Sequence, residues 1–176
     1  MTDPIQDAER LGFDVVYDEH FPFVYRRVRQ LGVADALIDD VVQEIFVVIH
    51  RQLNGFEGRS SMRAWVAGIT RRVVQDQLRR KRNQPAGSAL AAEPADERPT
   101  PEHVLDRRRA LETISRLLEQ LSPEHREAFY LHEMEGLSGR EISEVLDIPE
   151  NTAWSRIKGA RRKFNTLLAK RERANG

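Results

Sequence analysis

Three carboxylates and one amide lie close together early in the sequence, at Asp39, Asp40, Gln43 and Glu44. Side chains of this kind can hold a metal ion or exchange protons in catalysis. Both uses need further ligands or titratable groups from other parts of the chain. The five histidines are scattered, however, and cysteine is absent. The sequence therefore indicates no metal site, no cofactor, no catalytic residue and no small-molecule substrate. A solvated helix face, compensation of a helix dipole and docking of a basic protein stay open.

A second group of polar side chains lies near the end of the chain. Ser138 and Glu141 have capping-box spacing and predict the start of a short helix, and Pro149 suits the first turn of another. The apolar stripe of this second short helix is formed by Ala153, Ile157, Ala160 and Phe164. The opposite face is polar and basic. This pattern is typical of a helix-turn-helix whose recognition helix contacts DNA, although a solvated amphipathic helix would show it too.

The net charge of the 176-residue chain is zero, but the charges are segregated. Residues 57–83 contain eight basic side chains against two acids, and residues 151–173 contain eight against one. Residues 1–20 and 119–150 are acidic by contrast. Phosphate contacts are local, so these two basic stretches predict two separate surfaces able to bind DNA.

The periodicity of apolar residues predicts an all-α protein made of two small helical domains. Residues 1–83 form the first domain, in which Pro22 is a candidate kink or restart point, and residues 104–176 form the second. Residues 84–103 are rich in proline and acids, which is typical of a flexible linker. In the first domain, Trp65 lies on an apolar stripe, so we expect it in the core.

Features that would take the protein into or across a membrane are not found in the sequence. No apolar run approaches the roughly 20 residues of a membrane helix, and the start of the chain is acidic rather than basic. We therefore expect a cytoplasmic protein without membrane insertion.

Four segments in a fixed order carry a resemblance to a known family. They are residues 17–25 (YDEHFPFVY), 40–46 (DVVQEIF), 56–65 (FEGRSSMRAW) and 121–129 (LSPEHREAF), the last leading into the helix-turn-helix. In these segments the chain resembles bacterial RNA polymerase sigma factors of the extracytoplasmic-function (ECF) type, which belong to the sigma-70 family. The resemblance covers nearly everything from residue 13 to residue 168.

The resemblance implies a role for each part of the chain. Residues 1–83 would be sigma region 2, which docks on core RNA polymerase and melts the -10 promoter element, and residues 104–176 would be region 4, which recognises the -35 element. The polymerase-docking residues would be Asp39, Asp40, Gln43 and Glu44. A loop at residues 56–63 would capture a flipped base, so the implied -10 contacts are Phe56, Arg59, Ser60, Ser61, Arg63, Arg71, Arg72, Gln75 and Arg79.

The implied -35 contacts are Asn151, Thr152, Trp154, Ser155, Arg156, Lys158, Arg161 and Arg162. Here the chain departs from the family, because Asn151, Ala153 and Trp154 stand where glycine, valine and lysine are common. An indole at Trp154 removes a cation and adds an apolar surface able to meet a thymine methyl.

The expected function is that of a sigma factor, which is not an enzyme and binds core RNA polymerase and promoter DNA. The resemblance also implies an anti-sigma protein as a partner. One alternative is a stand-alone helix-turn-helix transcriptional regulator, for which the basic run at residues 71–82 would be only a solvated face. Another is a DNA-processing enzyme such as a recombinase, but the sequence offers neither a nucleophile nor a metal cluster for it.

Overall fold

The computed structural model describes residues 12–83 and 112–175, and the chain divides into two compact units, Met1–Pro94 and Ala95–Gly176. Within the described residues the regular elements are helical, and no strand occurs, so the all-α prediction is confirmed. The predicted linker at residues 84–103 lies outside the described residues. The limits of the linker and of the two domains therefore stay predictions.

Residues 12–83 of the first unit form three mutually packed helices: α1 (Phe13–Gln30), α2 (Ile38–Gln52) and α3 (Met62–Asn83). The core is centred on α2, whose apolar residues at helical spacing are all buried, namely Ile38, Val41, Val42, Ile45, Phe46 and Ile49. Val66, Ile69 and Val73 of α3 are buried against it. Trp65 is only half-buried, so it lies at the edge of the core rather than in its centre.

The first helix differs from the sequence prediction in two ways. Pro22 lies inside α1 and does not interrupt it. The residue is exposed to solvent, so the backbone carbonyl that loses its helical hydrogen bond can bond to water instead. The buried side of α1 includes Phe23 and the polar residues His20 and Arg27. Tyr17, which has helical spacing with the apolar residues of this side, nevertheless stays 38% exposed. Burial lowers the pKa of His20, so this side chain is neutral in the core.

Among the described residues of the second unit, four segments are α-helical: α4 at residues 112–119, α5 (Pro123–Phe129), α6 (Gly139–Leu146) and α7 (Glu150–Asn175). The Ser122 hydroxyl caps α5, with Pro123 in the first turn. A core cluster joins α5 to α7 through Leu121, Phe129 and Ala160. The second helix of the helix-turn-helix is not short, since α7 has 26 residues. Leucine, alanine, lysine and arginine beyond Phe164 favour its continuation.

A widened helical turn follows α5 directly. Residues Tyr130–Met134 form a π-helical turn, in which the Glu135 amide donates to the Tyr130 carbonyl over 3.2 Å. Gly136, with a φ of 71°, ends the turn by adopting the left-handed conformation that glycine tolerates best. This turn carries His132 and Glu133 toward α7.

The capping box predicted at the start of α6 is present. The Glu141 amide donates to the Ser138 hydroxyl over 3.2 Å, and the Ser138 amide donates to the Glu141 carboxylate over 2.9 Å. The helix ends at Leu146, where Asp147 takes the left-handed conformation with φ 54°. Aspartate tolerates this conformation better than most side chains, so the tight break between α6 and α7 needs no glycine.

Neither a membrane-spanning helix nor a metal-binding cluster is found in the described part of the chain. No described helix combines the length and apolar character that crossing a membrane requires. Across residues 12–83 and 112–175, no group of three or more histidine, aspartate or glutamate side chains is placed to hold a metal ion.

Replacing Ser138 by alanine removes one half of the capping box. We expect the free energy of unfolding of the second unit to fall by about 1 kcal/mol. Urea unfolding followed by Trp154 fluorescence in a Trp65→Phe background measures this unit alone, because the other tryptophan lies in the first unit. Ser138→Thr keeps the hydroxyl and is the matched control; an equal loss in both variants would contradict the capping role.

Candidate functional site

An aromatic groove lies between α1 and α2 and is bordered by two of the predicted docking residues. Its volume is about 610 Å³. Tyr17 and Phe21 of α1 contact Phe46 of α2, with ring centroids 4.6 and 6.1 Å apart. Asp39 and Gln43 stand one helical turn apart at the rim. His50 and Arg51 line the groove as well, so it combines an aromatic floor with polar side chains of both charges.

The other two predicted docking residues lie on a different side of α2. Asp40 is exposed, whereas Glu44 is half-buried and accepts a hydrogen bond from the Gln77 amide of α3. Arg80 lies 3.7 Å from the same carboxylate. Glu44 thus links α2 to α3, and the structure does not gather all four residues into one surface.

The loop before α3 is held by contacts at both of its ends. The Phe56 ring packs on Trp65 with centroids 5.2 Å apart, and the Ser61 hydroxyl accepts from the Ala64 amide over 3.2 Å, which caps α3. Gly58, with φ 67°, makes the bend between them. Ser60 is half-buried, while Arg59 is exposed and pairs with Glu57. Arg59 is therefore the predicted loop cation that reaches farthest into solvent.

The remaining -10 candidates lie on or beside the basic side of α3. The Arg63 guanidinium stacks 5.5 Å above the Phe23 ring, so this cation turns back toward the core. Arg71, Gln75 and Arg79 recur every fourth residue and share one side of the helix. Arg72, another of the predicted -10 contacts, donates a hydrogen bond from Nε to the Gly68 carbonyl over 3.3 Å.

In the second unit, the predicted apolar stripe of α7 packs against the core. Ala153, Ile157 and Ala160 are buried, and Phe164 is partly buried against the core cluster. The exposed residues are Asn151, Trp154, Ser155, Lys158, Arg161 and Arg162, while Thr152 and Arg156 are half-buried. The helix-turn-helix therefore presents one continuous polar and basic face, as the sequence predicts.

Two of these exposed side chains are engaged by neighbouring elements. The Arg161 guanidinium donates to Glu133 of the π-helical turn, over 2.9 Å from Nε. The Trp154 indole packs over the start of α6, so that a Cβ added at Gly139 would come within 2.5 Å of its Nε1. The His132 ring meets the indole edge-on at 5.7 Å. Neither Glu133 nor Gly139 was among the residues singled out from the sequence.

Known protein families match both units. The pattern of sigma-70 region 2 matches residues 16–84, and that of sigma-70 region 4 matches residues 111–164. The RNA polymerase sigma-H factor of Pseudomonas aeruginosa is 30% identical over 138 residues, which cover 73% of this chain and 72% of that protein. The ECF RNA polymerase sigma-E factor of Escherichia coli is 31% identical over 133 residues, 70% of each chain.

The chain belongs to the sigma-70 family. Its relatives place it among the ECF RNA polymerase sigma factors. Sigma factors bind core RNA polymerase and promoter DNA, so this protein is a transcription initiation factor rather than an enzyme or a stand-alone regulator.

Solved structures show the same fold. CnrH, solved in complex with the cytosolic domain of CnrY, is 23% identical with a TM-score of 0.64, over 95% of this chain and 96% of that one. The sigma factor RpoE of Bartonella quintana, solved with the anti-sigma factor NepR, is 21% identical with a TM-score of 0.64, over 87% and 94%.

The sigma factor depends on glycine at position 139 because the indole of Trp154 occupies the space of a side chain. Alanine normally stabilises a helix relative to glycine by about 1 kcal/mol. Here we expect Gly139→Ala to displace the indole and to lower the free energy of unfolding of the second unit by about 1–2 kcal/mol. Urea unfolding and a red shift of Trp154 emission measure the two effects.

The matched control for this substitution is Gly68→Ala in α3. A Cβ there meets no heavy atom within 4 Å, so the first unit should keep or gain stability. In a Trp154→Ala background the penalty at position 139 should disappear. A penalty that persists without the indole would show that the helix start itself requires glycine.

Proposed function

We propose that the sigma factor divides promoter recognition between its two units. The first unit docks on core polymerase and binds and opens the -10 element, and the second binds the -35 element. The observation that carries the proposal is that each unit has its own exposed basic helix face, on α3 and on α7. We assign residues 1–83 to the first role and residues 104–176 to the second, with residues 84–103 as the tether.

Docking on polymerase is assigned to the α1–α2 groove and its rim. The aromatic surface of the groove suits an apolar partner surface, and the Asp39 carboxylate suits a basic side chain on that surface. Asp40 lies outside the groove, on the exposed side of α2, and is kept as a docking residue in this proposal. Glu44 acts through the contact with Gln77 and Arg80, which holds α2 against α3, and it is a positioning residue in this proposal.

Binding of the -10 element is assigned to the loop and to the basic side of α3. Removing a base from the stack costs a few kcal/mol, which stacking on an aromatic side chain can offset. Phe56, supported by Trp65, is the aromatic surface in this loop, with Ser60 and Ser61 beside it. The phosphate contacts in this proposal are Arg59, Arg63, Arg71, Arg72 and Arg79, with Gln75 between the last two.

Binding of the -35 element is assigned to the exposed face of α7. The first turns of a recognition helix reach base edges, so Asn151, Ser155 and Lys158 are the base-contacting residues in this proposal. Thr152, Arg156, Arg161 and Arg162 contact phosphates. Glu133, which holds the Arg161 guanidinium, positions that cation before DNA arrives.

A cytoplasmic location and control by an anti-sigma protein complete the proposal. The location follows from the need to meet RNA polymerase. The aromatic groove exposes apolar surface when polymerase is absent, and an inhibitor that covers it would block docking. RpoE of Bartonella quintana, which has the same fold, is described with its anti-sigma factor NepR.

Reconstituted transcription tests the assignment of promoter recognition. Core polymerase from a bacterium, mixed with the sigma factor and a library with randomised -10 and -35 segments, should give run-off transcripts enriched in one motif at each segment. Core polymerase alone is the control. Enrichment at only one of the two segments would contradict the division of labour between the units.

Charge reversal at the groove rim tests the docking surface. Asp39→Arg replaces a complementary charge by a repelling one, and Gln43→Arg adds a repelling charge, so each should weaken co-elution with core polymerase by about tenfold or more. Glu172→Arg in α7 reverses an exposed charge outside the groove and is the matched control. Equal binding by all three variants would place the docking surface elsewhere.

A further inference from the structure

The Trp154 side chain occupies a central place on the exposed face of the recognition helix. Asn151, Trp154 and Lys158 follow one another at spacings of three and four, so they form one stripe along α7. The indole is 38% exposed, although most residues around it on this face are polar or charged. A large apolar surface thus stands between two side chains that the proposed function assigns to base edges.

The polar edge of this indole is already engaged within the protein. Its Nε1–H donates to the Glu150 carboxylate over 3.4 Å, and the same edge faces Gly139. Indole carries no other hydrogen-bond donor and no acceptor. The surface left for a ligand is therefore formed by ring carbons.

The indole is also held in place before any ligand binds. The close fit over Gly139 leaves no room on that side, and the His132 ring packs edge-on against it. The His132 Nδ1 is itself hydrogen-bonded to the Leu137 carbonyl at 2.8 Å. A side chain fixed in this way loses little conformational entropy on binding.

The major groove offers one apolar feature on its base edges, the C5 methyl group of thymine. Guanine and adenine present acceptors, and cytosine and adenine present amino donors, which ring carbons would desolvate without replacing their hydrogen bonds. On the basis of the proposed function, we infer that Trp154 selects thymine at one position of the -35 element through contact with this methyl group. Gly139 and His132 act as positioning residues for the indole.

Deoxyuridine substitution tests the contact without altering the protein, since deoxyuridine lacks only the methyl group. On a promoter selected with the library described above, each thymine of the -35 segment on either strand is replaced in turn. The holoenzyme should lose about three- to fivefold in promoter affinity at one position, the effect expected for one buried methyl group. Competition for run-off transcription measures the loss.

The protein variants assign the effect to the indole. Trp154→Ala should bind more weakly and should not distinguish thymine from deoxyuridine at that position. Lys158→Ala, on the same stripe, should also bind more weakly but should keep the full distinction. Trp154→Phe keeps an aromatic ring and should retain part of it, and thermal unfolding checks that each variant is folded.

The outcomes separate this inference from the proposed function. Specific transcripts without any deoxyuridine-sensitive position, or a sensitivity that persists in Trp154→Ala, would overturn the inference and leave promoter recognition intact. If wild-type protein with core polymerase gave no enriched -35 motif, the proposed role of α7 and the inference would both fail.

Discussion

Burial of one apolar stripe per helix is the interaction on which both units depend. Each unit is small, so nearly every residue with a strong preference for the interior is needed there. The α2 stripe is wholly buried, and α7 buries small residues at Ala153 and Ala160, which lets neighbouring helices approach closely. The sides of the helices turned away from the core carry the charged side chains, and in α3 and α7 these sides are strongly basic.

Segregation of charge follows from this division of each helix into two sides. A net charge of zero limits long-range attraction to DNA, whereas phosphate contacts act within a few ångströms. The α1–α2 groove, lined by Asp39, and the basic side of α3 belong to the same small unit. One small unit therefore carries both an aromatic groove and a basic helix face.

The elements that local patterns determine were predictable from the sequence. The Ser138–Glu141 capping box and the α2 stripe depend on residues three or four apart, and both are present. Contacts between distant segments were not predictable. Glu44 meets Gln77 across 33 positions, and Arg161 meets Glu133 across 28, and such contacts depend on how the helices are packed. The need for glycine at position 139 was not predictable either, because it depends on where the Trp154 ring lies.

The π-helical turn at Tyr130–Met134 affects which side chains lie against α7. A π turn holds one residue more than an α-helical turn, and that extra residue rotates the side chains after it by roughly 100° around the axis. His132 and Glu133 lie within this turn and contact Trp154 and Arg161 of α7. Loss of one residue from the turn would therefore alter the placement of both contacts in a single step, whereas a substitution alters one at a time.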